Sequence, residues 1–121
     1  VLDTVAIYLI AEAAWAAENQ LAIERVLKSY DQASDFAESD PVAAGQIVAD
    51  AVSGNAELFA NTIPNQRYVV GFTPVMLESL DAIAGFLIDS GVLEEGFDVR
   101  DFVDLEAQER AVPGSVTADL E

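Results

Sequence analysis

Apolar positions recur along most of this chain at spacings of three and four, the pattern of helices with one covered face. Residues 12–18 form an Ala-rich stretch carrying Trp15, and it predicts a short helix. A longer helix is predicted over residues 20–39, with Ile23, Val26, Leu27, Tyr30, Ala33 and Ala37 as its apolar stripe. Asp40-Pro41 then supplies helix-start chemistry. Asp accepts from free backbone N–H groups as N-cap, and Pro at the first helical position has no N–H to leave unpaired. That helix runs through Ile47, Val48 and Val52, and Gly54 suits its C-terminal cap. Asn55 opens another short helix with Leu58, Phe59 and Ile63, stopped by Pro64.

Thr73-Pro74 repeats the start signal. The helix it opens carries Leu77, Leu80, Ala84, Leu87 and Ile88 on one face. Gly91 ends it, with Val92 and Leu93 folding back in a Schellman-type cap. Residues 98–105 predict a last helical turn or two, and residues 113–121 a polar tail that frays. Two stretches depart from the helical period. Residues 4–10 are β-branched, aromatic and apolar, which predicts a short buried strand, with a helix running into the Ala-rich stretch as the alternative, and residues 67–72 predict a second extended segment. The class is therefore mostly α: five or more helical segments with one or two short strands. Residues 1–112 form the helical portion and 113–121 the tail. A strand needs a partner, so one good strand among helices suggests part of a larger α/β body.

Composition narrows the function. The 22 acidic residues outnumber the 5 basic ones, for a net charge of −17. Nucleic-acid binding depends on Lys and Arg displacing counterions, and anionic membrane surfaces make the same demand. Neither partner suits this chain. Hydrophobic residues make up 52%, which argues for a folded core over disorder. The acids are scattered singly or in pairs, favouring general surface acidification of the halophilic kind over one acidic binding patch. Cysteine and histidine are both absent, which removes disulfides, thiol nucleophiles, Ser-His triads and the usual zinc sites. The first ten residues are apolar but too short to span a bilayer, and no signal-peptide pattern is present.

The order of these elements carries a resemblance. A strand leads to an aromatic-bearing helix ending in Glu18-Asn19, then a long helix closing on Ser39-Asp40-Pro41. Arg67-Tyr68 and Phe72-Thr73-Pro74 follow. The Thr-Pro helix ends in Phe86-Leu87-Ile88-Asp89-Ser90-Gly91, and Phe97-Asp98-Val99-Arg100-Asp101-Phe102-Val103-Asp104 comes after. Over roughly residues 8–105 this resembles the C-terminal portion of ABC-transporter solute-binding proteins for nitrate, sulfonates and taurine, which are similar to the thiamine-pyrimidine precursor family. Two departures stand out. The family often has Asn-Pro where this chain has Asn19-Gln20, and a basic residue near the helix-ending glycine where this chain has Glu94-Glu95.

The resemblance implies part of a two-lobe, periplasmic-binding-protein-like (type II) α/β fold. It implies a small anionic or zwitterionic solute bound by the intact two-lobe protein and an ABC permease as partner. It also implies a periplasmic or cell-surface location, with the signal peptide outside this chain. It implies no catalysis and no cofactor. The thiamine-precursor branch includes enzymes, but their chemistry is associated with a histidine-bearing site. Most family ligand contacts lie upstream of the matched region.

The residues themselves offer few candidates. Arg67 beside Tyr68 suits bidentate recognition of a carboxylate or sulfonate, with a salt bridge to a neighbouring helix the plainer reading. Trp15 suits stacking on a ligand, with core packing the plainer reading. Asp98, Asp101 and Asp104, with Glu106, offer oxygens for Ca²⁺ or Mg²⁺, but without EF-hand spacing they read as a solvated turn, with no metal assigned. The alternative function is a self-contained acidic helical interaction domain without a small-molecule ligand.

Overall fold

Helix-start chemistry decides most of the architecture. The structure, a computed structural model, describes residues 7–66 and 68–120. Among them are α1 (Ala13–Glu18), α2 (Gln20–Ser39), α3 (Pro41–Val52), α4 (Ala56–Thr62), α5 (Pro74–Asp89) and α6 (Glu106–Ala111), with 3-10 turns at Ile63–Asn65 and Val99–Phe102. The protein is mostly helical. Three caps have the chemistry read from the sequence, and Glu12, expected inside the first helix, adds a fourth. Glu12 accepts from the N–H groups of Ala14 and Trp15, Asp40 from Ala43 at 3.0 Å, Asn55 from Leu58 at 3.0 Å and Thr73 from Met76 at 3.4 Å. Each satisfies a donor that the first turn leaves without an intrahelical acceptor.

The end of α5 is a full Schellman cap. Gly91 sits at φ 74°, its N–H donates to Ile88 O at 2.9 Å, and Val92 N–H donates to Leu87 O at 2.8 Å. The end of α3 differs from expectation. Ser53, not Gly54, takes the left-handed conformation, at φ 56°. Gly54 answers a packing need instead: a Cβ there would lie 2.5 Å from Cε2 of the Phe59 ring. Pro64 does not end the chain's coiling either. It lies inside the 3-10 turn after α4, where the tighter bonding pattern does without its N–H.

The chain divides into two units, each with its own packing: Val1–Glu24 with Gly71–Glu121, and Arg25–Val70. In the second unit α3 packs on α4. The contact is made by small residues, with Ala44, Gly45 and Ala49 buried, while Ile47 and Val52 stay exposed. Gly45 is essential to this approach. A Cβ on it would lie 2.6 Å from Ala60 N and 2.9 Å from Ala56 O.

In the first unit the buried side chains are Phe72, Leu77, Ala84, Ala107 and Ala111. Leu77 and Ala84 lie on the predicted face of α5. Ala107 and Ala111 belong to α6, a helix the sequence reading did not anticipate beyond the turn at 98–105. The tail, expected to fray, is tied down. Phe72 N–H donates to Ser115 O at 2.9 Å, and Phe72 O accepts from Thr117 and Ala118 at 2.9 and 3.2 Å. Glu109 holds the bend, accepting from Gly114 N–H at 2.8 Å and Val116 N–H at 3.3 Å.

The strand expectation needs correction. Among the described residues the β pairing is one isolated parallel bridge, Phe72 with Val116. Residues 7–10 have no regular structure, with Ile7 and Ile10 more than nine-tenths exposed, and residues 4–6 lie outside the described residues. β-branched residues favour a pleated surface only where a neighbouring strand covers them, and none pairs with 7–10 here.

Candidate functional site

The most developed polar geometry in the first unit centres on Arg100. Its Nη1 and Nη2 donate to the two carboxylate oxygens of Asp81, each at 2.9 Å, a bidentate fork across α5 and the 3-10 turn. Nη1 also donates to Asp98 Oδ1 at 3.2 Å, and that same oxygen accepts from Arg100 N–H at 2.9 Å. The Arg100 N–H, and then its guanidinium, hold the Asp98 carboxyl below the usual range. Asp81 and then Asp98 hold Arg100 above its ordinary value. Asp98 therefore caps the turn and orients the arginine at once.

This fork walls an open cleft of about 360 Å³ whose lining includes Ala84, Gly85, Ile88, Gly96 and Phe97. Phe97 of this lining stacks on Phe102, with centroids 5.0 Å apart. The lining mixes apolar side chains with the carboxylates of Asp81 and Asp98, and Arg100 is already committed to both.

A second cluster joins the start of α2 to α6. Gln20 Nε2 donates to Asp104 Oδ2 at 2.7 Å, and Gln20 Oε1 accepts from Arg110 Nη2 at 2.8 Å. Arg110 also pairs with Glu24 at 3.6 Å and Glu106 at 3.4 Å. Gln20 stands where the resembled family often has proline, so this departure has a structural use.

The residues singled out from sequence fare differently. Arg67 lies outside the described residues. Tyr68 belongs to the second unit, is 36% exposed, and donates its hydroxyl to Gln66 Oε1 at 2.8 Å. Trp15 belongs to the first unit, and the core packing expected of it is not found: it is 47% exposed. The cause is local. α1 spans six residues and buries none of them. The aspartates at 98, 101 and 104 do not converge. Asp98 serves Arg100, while Asp104 serves Gln20 and the first N–H of α6. Among the described residues no group of three or more His, Cys, Asp or Glu is placed to hold a metal ion. Arg100 and Arg110 were missed. Asp98-x-Arg100 was a visible local signal, but Asp81 and Gln20 are far away in sequence.

Five basic residues cannot neutralise 22 acidic ones, whatever pairs they form. Self-repulsion therefore outweighs them, and salt should stabilise the fold. The Debye length falls from about 10 Å at 0.1 M to about 3 Å at 1 M. The melting temperature is expected to rise across that range. A flat or falling response in a thermal scan would sink this electrostatic account.

The chain matches no protein-family model, no curated protein and no solved structure. Among the described residues no helix is long and apolar enough to cross a membrane.

Proposed function

We propose that this chain is the helical C-terminal portion of a solute-binding component of an ABC importer for a small anionic or zwitterionic solute. The intact protein would hold its solute between two α/β lobes and deliver it to a permease outside the cytoplasm. The reading begins from the element order that resembles nitrate-, sulfonate- and taurine-binding proteins. One observation supports it most: the helices are well capped, yet the core is unfinished. Among the described residues no large side chain is fully buried. Ile7, Leu9 and Ile10 are exposed, as are Val26 and Tyr30 of the α2 stripe. Surfaces like these are covered in a larger α/β body.

Titration calorimetry tests the reading. The chain alone should bind nitrate, sulfonates or taurine no more tightly than about 1 mM, or about −4 kcal/mol, because no set of free donors converges among its described residues. The intact two-lobe protein should bind at least one of them far more tightly. Micromolar binding by the chain alone, lost in Arg67→Ala, would replace the lobe-portion reading with an independent receptor. Absence of binding by the intact protein would end the solute reading.

The second reading, a self-contained acidic interaction domain, has its own support. Gln20 bonds to Asp104 and Arg110 across 84 and 90 residues of sequence, which closes the first unit on itself.

A further inference from the structure

At Phe72 a strand edge and the segment that occupies it are seen together. Phe72 N–H donates to Ser115 O at 2.9 Å, Thr117 N–H donates to Phe72 O at 2.9 Å, and Val116 stands opposite. A residue bonded to both neighbours of its opposite number is the parallel ladder pattern. The tail is thus added to the Phe72 backbone as an extended peptide is added to a sheet edge.

Hydrogen bonds hold this tail more than burial does. None of residues 113–120 is buried, whereas Phe72 is 4% exposed. The other ties are polar. The exposed Glu109 carboxylate accepts from Gly114 and Val116 N–H, Gln108 Nε2 donates to Ser115 Oγ at 3.4 Å, and Ser115 N–H donates to Val112 O at 3.0 Å. Elements with few buried contacts and exposed backbone bonds open before the rest of a fold.

The join to α6 has the make-up of a hinge. Val112 is already extended, at φ −133° and ψ 86°, the region a following proline favours. Gly114 turns the chain back at φ 82°. Glycine leaves that region for the extended one without a Cβ clash, so rotation at one residue carries the tail away from Phe72. Another copy's tail on the same edge would reproduce every bond to Phe72 and Glu109. Of the bonds named, opening loses the Ser115–Val112 turn and the Gln108–Ser115 contact until the second tail restores the latter. The net charge of −17 opposes the approach of two copies, and salt screens that repulsion.

We infer that the backbone edge at Phe72 is a strand-addition site that the chain's own tail closes, and that its partner is the tail of a second copy, exchanged through the Gly114 hinge. Exchange of an identical segment is a low-cost route to a dimer. This does not depend on the solute-binding reading, and neither result decides the other.

The test uses the full chain, unaltered and as Gly114→Val. A β-branched residue is strained at φ 82° and at ease when extended, so valine should weaken the closed tail by about tenfold or more. Hydrogen exchange at Thr117 and Ala118 in dilute monomer reads that loosening. Light scattering in about 1 M salt, where repulsion is screened, should give Gly114→Val a dimerisation constant about tenfold or more above that of the unaltered chain. A labelled peptide of residues 113–120 should bind Gly114→Val about tenfold or more tightly than it binds the unaltered chain, whose own tail competes at high effective concentration. The same peptide N-methylated at the Thr117 position lacks the donor to Phe72 O and should not bind. Gly91→Val is the control. Gly91 sits at φ 74° but ends α5, so this variant should lose stability and stay monomeric. Tail amides that stay protected in Gly114→Val would overturn the proposal, as would a peptide that fails to bind or is indifferent to N-methylation. Peptide binding without a dimer would overturn the second copy as partner. A dimer formed equally by Gly91→Val would reduce the effect to general destabilisation and overturn it too.

Discussion

Gly45→Ala is expected to destabilise the α3–α4 unit, while Gly85→Ala stabilises α5. The two substitutions are chemically identical, and both fall inside a helix. Each gains about 1 kcal/mol of helix propensity. They differ in what the new methyl group meets. At position 45 it meets backbone, Ala60 N at 2.6 Å and Ala56 O at 2.9 Å, and backbone cannot rotate away as a side chain can. The helices must separate, uncovering Ala44 and Ala49, which are 6% and 5% exposed. Overpacking of this kind costs about 1–3 kcal/mol, and a backbone obstacle places it at the upper end, enough to outweigh the propensity gain. At position 85 nothing lies within 4 Å, so only the gain remains. Denaturant titration of both variants checks the opposite signs. A larger residue at 45, such as valine, should abolish the cooperative transition of that unit. If Gly45→Ala proves as stabilising as Gly85→Ala, the close helix crossing is wrong.

Phe72→Ala carries the other large effect. Phe72 is 4% exposed, the most buried large side chain described, and its backbone receives the tail. Removing a buried phenylalanine ring costs about 3–5 kcal/mol through lost transfer energy and the cavity left behind. That is a large share of the stability of a domain this size. The consequence should spread along the tail. Thr117 and Ala118 donate to Phe72 O, so their amides should exchange faster with solvent in the variant. Phe102→Ala is the control. Phe102 is 72% exposed and only stacks on Phe97, so its loss should cost less than about 1 kcal/mol and leave tail exchange unchanged. Equal effects from the two would show that Phe72 is not the anchor of the tail.

The helical plan was legible because it is written in short-range chemistry. Asp40-Pro41, Asn55 and Thr73-Pro74 each act within three residues, and the Gly91 cap within five. Backbone groups at helix ends must find partners nearby, so residues at fixed offsets announce them. The end of α2, the start of α3 and both bounds of α5 follow from this alone. Where the signal was propensity without a cap, the reading failed. Residues 7–10 have strand composition and no strand, because pairing depends on a neighbour that composition does not name. α6 begins at Glu106, after an N-cap position occupied by Leu105, which has no side-chain oxygen to announce a helix start, and it escaped notice for that reason.

The site was scarcely legible. Arg100 and Asp98 are two residues apart, but the partner that completes the fork, Asp81, is 19 residues from Arg100. Gln20 meets Asp104 and Arg110 only after the chain has folded. With 22 acids to choose from, nothing local marks which one an arginine will take. Burial was equally hidden. The stripe on α2 looks like a core face, yet α2 buries no residue, and the small residues Ala44, Gly45 and Ala49 are covered in α3 where larger ones were expected. Sequence alone determined the capped helix starts, the Gly91 helix end and the charge, since these depend on residue type and nearest neighbours. Tertiary structure decided which arginine is held, which glycine is a crossing point and which apolar face stays open. Those outcomes depend on distances between segments far apart along the chain, which no local pattern encodes.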